Sequence, residues 1–409
     1  MTNMDAVKSI KSRLAGLKRR ERFIDYRESG PYARKLENLL DEIDQIAESP
    51  RQGVELVAAF IQTDNAVLES ADDSDGIVGD VYSIFACDSF IRHASQCEDK
   101  EWLYDILLKL HAKDDFGVRG SLIESVAKFL PEPYLRRLVD EFWSSGEKET
   151  GEISKYHWFL PIESVARQLK DPELFERACR TKWPKLPTAG YLDIAEVYFE
   201  SGYPLVALQW LDKVPLEETF QIDERERLLL KICIELGDKN RGKEVAWHIF
   251  RRYRDGENLA MLLEVLGYEN LERVIAGETE EILRTPELSD SDVDFLLDAD
   301  RIDEAEQYVM ERLEQLDGYF YHDLLSWAEI FEDHKRFLVT SLIYRALLNS
   351  ILDQGRSAAY YYGVKYLRTL DDLATKITDW GGFPDNEEYE LALRMDHKRK
   401  FSFWKRYDQ

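Results

Sequence analysis

Residues 191–214, YLDIAEVYFESGYPLVALQWLDKV, decide how the rest of the chain is read. Tyr191, Ile194, Ala195 and Tyr198 fall three and four apart, which places them on one face of a helix. Ala207, Leu208 and Leu211 do the same for a second helix. Between them lies Ser201-Gly202-Tyr203-Pro204. Gly202 is suited to the left-handed conformation that ends a helix, and Pro204 to the opening of the next. Small Ala195 and Ala207 permit close approach. The stretch predicts two short antiparallel helices packed through small residues.

The same register recurs 35 residues on, with Leu229, Cys233 and Gly237 in the places of Ile194, Tyr198 and Gly202, and Gly242 in the small slot. A further unit centres on Asp300, with Ala305 and Val309 following. This aromatic, apolar, small pattern resembles a tetratricopeptide repeat. Outward from it, helical periodicity is expected over 32–47, 53–68, 78–94, 100–112, 118–129, 133–144, 163–169, 172–182, 321–331, 337–352 and 357–367, with another helix from there to 377. No alternating strand pattern appears. The expected fold is all-α, an α-α superhelix of the tetratricopeptide-like or HEAT-like solenoid kind. The polar run Ser144–Gly151 is the best candidate boundary. It divides an N-terminal helical array, 1–150, from a repeat array, 151–409.

The chain has 409 residues, 54 Lys and Arg against 80 Asp and Glu, and a net charge of −26. The charge is uneven. Residues 1–35 are net +6, residues 394–409 net +4, and the remainder net −36. The body repels nucleic acid and anionic membranes; only the two ends attract them. No stretch reads as a transmembrane span or a signal peptide. Cys87, Cys97, Cys179 and Cys233 stand far apart without a CxxC pair, as expected for reduced thiols of a cytoplasmic protein.

Nucleotide-binding, nucleophile-elbow and zinc-protease motifs are missing, so no catalytic residue, metal ligand or cofactor is assigned. His93 and Cys97, with Cys87 upstream, are too few for tetrahedral zinc and are expected to pack. Asp72-Asp73-Ser74-Asp75-Gly76 carries clustered carboxylates, but the register of a calcium loop puts Ala71 and Tyr82 where acids are required. A turn with a helix cap is the plainer reading; docking of a basic segment on Asp72, Asp73 and Asp75, or a loose divalent site, is the alternative. Tyr360-Tyr361-Tyr362 and Tyr366, beside Arg356, Lys365 and Arg368, cannot all face one core. Tyr361, Tyr362 and Tyr366 are therefore candidates for a partner groove. Arg399, Lys400 and Trp404 in the basic aromatic tail combine cations with a stacking ring; the alternative is that Phe403 and Trp404 anchor the last helix while Lys398 to Lys400 meet acidic neighbours. Met4, Val7, Ile10, Leu14 and Leu17 form an apolar stripe among Lys8, Lys11, Lys18, Arg19 and Arg20, expected to cap the acidic body or to dock elsewhere.

Asp379-Trp380-Gly381-Gly382-Phe383-Pro384-Asp385, Tyr389, Leu393-Arg394, His397-Lys398-Arg399-Lys400 and Ser402-Phe403-Trp404 form a distinctive ending. With YLRTLDDLATKI before it and the earlier DDSDG and FIDYRE segments, the chain from Phe23 to Trp404 resembles an uncharacterised bacterial family. That family is a helical domain of unknown function often found C-terminal to a SWIM-type zinc finger. No CxCx…CxH module is present, and Asn386 stands where relatives carry His. The resemblance implies a helical fold and brings no known activity with it.

The expectation is a non-catalytic helical-repeat scaffold that holds a basic or extended protein or peptide in a concave groove. The alternative is a nucleic-acid accessory protein that grips phosphate through residues 1–35 and 394–406. A metal-dependent enzyme built on the Asp72 cluster is a distant third.

Overall fold

The computed structural model describes residues 3–19, 22–183, 185–215 and 217–409. The described residues are helical without a β-strand, apart from an isolated parallel bridge between Ile24 and Ala71. The fold is all-α, and successive helices pack as sequence-adjacent pairs. The chain divides into two compact units, Met1–Arg225 and Glu226–Gln409.

In the first unit the paired residues of the 191–214 stretch fold as their spacing demands. Helices Thr188–Glu200 and Pro204–Leu211 pack against each other. Ile194, Ala195 and Ala207 are fully buried, and the Tyr191 ring lies 5.8 Å from that of Trp210. Gly202 sits at φ +85°, and the turn closes with Gly202 N–H to Phe199 C=O (2.9 Å) and Tyr203 N–H to Tyr198 C=O (2.9 Å). This is the two-bond ending that a left-handed residue supplies to a helix. The N-terminal helix Asn3–Leu17 lays Ile10 and Leu14 into the unit's own core, so its stripe is a cap. Arg20 lies outside the described residues.

The expected boundary at 144–151 falls inside this unit. Helix Glu132–Lys148 runs through most of the polar stretch and packs on Glu152–Leu169. Gly146 is buried there, and a Cβ on it would sit 2.7 Å from the Phe159 ring. That glycine marks close helix approach, where the sequence suggests a linker.

In the second unit the pairs are Lys239–Arg252 with Gly256–Leu266, Asp290–Asp298 with Ile302–Met310, and Tyr321–Asp333 with Phe337–Asp353. Helix Tyr360–Ala374 packs on Phe337–Asp353 and on the last helix, Phe401–Tyr407. The expected break near 367 is absent, and one helix runs to Ala374. The core of this unit is continuous from Leu230 to Trp404.

Candidate functional site

A cavity of about 510 Å³ opens in the second unit between the turn before Tyr321, helices Tyr321–Asp333 and Phe337–Asp353, and the start of Tyr360–Ala374. Glycines set its walls. A Cβ on Gly318 would sit 2.5 Å from the Ser350 Cβ, so only glycine lets this turn press against the long helix. Tyr321 lines the cavity, with exposed Tyr319 and Phe320 just before it in the chain. Gly355, at φ +63°, ends the long helix with bonds from its own N–H to Leu352 C=O (3.1 Å) and from Arg356 N–H to Ile351 C=O (3.2 Å). Arg356 is thereby turned into the cavity wall.

The floor is apolar and aromatic: Leu325, Leu347, Ile351, Tyr344 and Tyr366. Tyr366 is only 7% exposed, and its ring lies 5.6 Å from that of Tyr344 at 43°. Burial, with neighbouring Tyr344, Tyr362 and Tyr321, raises the Tyr366 hydroxyl above its ordinary value. Burial raises Tyr344 as well, helped by Glu332 and Glu329. Both phenols therefore remain neutral and able to donate a hydrogen bond. At the mouth stand Arg356, Lys365 and His322. The Arg356 guanidinium lies 5.8 Å from the Tyr319 ring centre, and the His322 ring 4.1 Å from that of Tyr321. No carboxylate lines the cavity.

Of the candidates on this helix, the structure brings Tyr362 and Tyr366 into the cavity together with Arg356 and Lys365. Tyr361 does not line it; 65% exposed, it meets Tyr362 edge-on at 5.5 Å. Tyr360 is buried against Phe403, and Arg368 faces solvent. Sequence reading missed Tyr319, Phe320, Tyr321, His322 and Tyr344. The available signal was the aromatic run directly after Gly318.

The other candidates lie elsewhere. Asp73 accepts from the amides of Val78 (2.7 Å) and Gly79 (2.8 Å), and Asp75 from that of Ile77 (3.3 Å). Asp72 accepts from the amide and hydroxyl of Ser74. All three carboxylates thus hold the turn before Ile77–Asp80, with Gly76 at φ +76°. His93 bonds Asp44 at 2.8 Å, and Cys87 and Cys97 are buried thiols. Among the described residues no cluster of three or more His, Cys, Asp or Glu is placed to hold a metal.

In the tail, Trp404 is buried, donates to His397 C=O at 3.0 Å and carries the Arg394 guanidinium 4.3 Å above its ring. It anchors the last helix with Phe403. Lys398, Arg399 and Lys400 do not meet acidic partners: none of them forms an ion pair among the described residues. The Lys400 ammonium lies 3.6 Å from where a Cβ on Gly355 would sit, beside the Arg356 turn. The 379–389 motif is a clasp. Arg345, buried, donates to Pro384 C=O at 2.8 Å between the rings of Trp380 (4.8 Å) and Tyr389 (4.4 Å). Asn386 donates to Asp371 at 2.9 Å, and Asp385 caps the next helix.

No curated protein matches the sequence. One family model covers residues 2–182 and 186–406, and the chain belongs to that family, a family of unknown function (DUF6880).

Proposed function

We propose that this protein is a non-catalytic scaffold that holds a protein or peptide partner, and that the tyrosine-lined cavity of the second unit receives a side chain of that partner. The carrying observation is the rim. Tyr319, Phe320, Tyr321, Tyr361 and Tyr362 are all exposed around or beside a cavity walled by further tyrosines. Rigid rings with a hydroxyl at the edge give large contact area at small entropic cost, which is why they anchor interfaces. Clustered exposed rings are costly in water unless something covers them. The lining residues hold no carboxylate or thiol beside His322 that would make a nucleophile and base. Four buried, free cysteines suit a reducing compartment such as the cytoplasm.

Selection of a displayed random-peptide library on the full chain tests this. Wild-type protein is expected to enrich peptides whose binding falls at least tenfold with Tyr362→Ala, an exposed position that leaves the core intact. Absence of any enriched peptide, or turnover of a nucleotide, ester or phosphodiester by the purified protein, contradicts it.

The second reading, phosphate gripping by the termini, is favoured by the unpaired Lys398, Arg399 and Lys400 and by the resemblance to domains that follow a SWIM-type finger. Because Phe403 and Trp404 are buried, truncation would remove core. Salt-titrated DNA and RNA binding with Lys398, Arg399 and Lys400 changed to Glu is the cleaner test, and binding unaffected by those changes counts against it.

A further inference from the structure

We infer that the segment accepted by the cavity is acidic: an apolar or aromatic side chain fills the tyrosine-lined hollow while flanking carboxylates reach Arg356 and Lys365. The inference rests on the binding function proposed above and adds the chemistry of the ligand.

Charge around the cavity runs opposite to charge over the chain. Acids outnumber bases 80 to 54, and most arginines of the second unit are matched to one. Arg251 and Arg254 share Glu278, Arg336 meets Asp303 and Glu306, and Arg394 meets Glu390 and Asp408. Arg356 and Lys365 have no such partner, though Asp353 stands three residues before Arg356 and Asp317 directly precedes Gly318 of the cavity turn. Asp317 accepts from the Tyr319 amide at 2.9 Å, and Asp353 lies 3.4 Å from His397. Lys400, also unpaired, extends the same positive edge beside Gly355.

A second cationic hollow makes the contrast. Lys243, Arg251 and Arg273 line a space of about 470 Å³, but Glu278 also lines it and already binds Arg251 at 2.5 Å. Around the tyrosines, by contrast, fork and ammonium donors stand next to apolar depth with no acid in the lining. Guanidinium groups pair carboxylates in a bidentate manner, and the neutral phenols of Tyr344 and Tyr366 add donors for an oxygen that enters deeper. A basic segment, which the overall charge would favour, meets like charge here. The repulsion of the acidic body does not prevent entry, because charges more than about 8 Å away are largely screened at physiological salt.

The test is the same peptide library sorted by charge, followed by titration of single peptides against the full chain and an Arg356→Glu/Lys365→Glu variant whose melting curve matches wild type. The expected pool is net negative with an aromatic or large apolar residue beside its acids. Such peptides are expected to bind the double variant at least tenfold more weakly, and the double variant to select basic peptides. Enrichment of basic or uncharged peptides overturns this inference and leaves the scaffold function standing. Acidic peptides that bind the double variant unchanged overturn it as well. Failure to enrich any peptide overturns both. Binding of a single-stranded oligonucleotide that depends on Arg356 and Lys365, with no acidic peptide bound, also overturns it.

Discussion

His111 shows how one buried side chain ties stability to pH. It stacks on His157 at 4.7 Å and 8°, beside Phe142 and Trp158, and its Nε2 has no hydrogen-bond partner. Burial, with the nearby His157, lowers its pKa from 6.5 to about 4. Above pH 6.5 the ring is neutral whether the chain is folded or not, so it contributes no pH dependence. Below that, the unfolded chain takes up a proton that the folded site refuses until about pH 4. Stability therefore falls as pH drops through this window, by up to about 3 kcal/mol. Replacing His111 by Leu is expected to flatten the melting temperature between pH 6.5 and 4.5; an unchanged slope contradicts the assignment. Asp44 acts in a lower window. Burial would raise its carboxyl, but hydrogen bonds from His93, Ser89 and Arg92 outweigh this and hold it at about 2. Its contribution is present above pH 4 and lost only as pH falls towards 2.

At the scale of the element, one helix ending does most of the work. Positive-φ residues stand at helix ends at Lys170, Gly202, Gly237, Gly267, Asp300 and Lys335, spaced 32, 35, 30, 33 and 35 apart, with Gly355 20 residues further on. At all but Gly267 the turn closes with the same two backbone bonds. The sequence exposes this ending at Gly202 and Gly237, because glycine is the residue the conformation favours. It gives only a hint at Asp300 and none at Lys170 or Lys335, where the surrounding helices impose the turn on an ordinary side chain. Gly146 shows the reverse error, a glycine that reads as a linker and in fact accommodates Phe159. Gly202→Ala is expected to cost about 1 kcal/mol. Lys335→Gly, at an exposed position, is expected to gain about 0.5 kcal/mol, since relief of strain exceeds the added chain entropy. Melting curves check both; a loss of stability in the Lys335 variant contradicts the strain argument.

The site was legible only in part for a related reason. Tyr362, Tyr366, Arg356 and Lys365 are neighbours along one helix and the turn before it, so their grouping can be read from the chain. Tyr321, His322 and Tyr344 join them through tertiary packing that Gly318 permits, and no local spacing announces it. The aspartates of 72–75 carry the composition of a binding loop and perform a backbone task. The tail is divided: Phe403 and Trp404 belong to the core, while Lys398 and Arg399 remain in solvent.

For the whole molecule, the net charge of −26 describes the surface at long range and says little about one cavity. Interaction within the cavity is set over a few ångströms, where unpaired Arg356 and Lys365 outweigh screened carboxylates farther off. On the proposed function, the acidic body supplies long-range repulsion, and recognition falls to a local reversal of sign in the second unit. Hydrogen–deuterium exchange of the full chain with and without a library-selected acidic peptide tests this most directly. Protection is expected in residues 318–325 and 356–369. Protection confined to residues 3–19, 72–80 or 394–406, with the tyrosine-bearing segments unchanged, would contradict it.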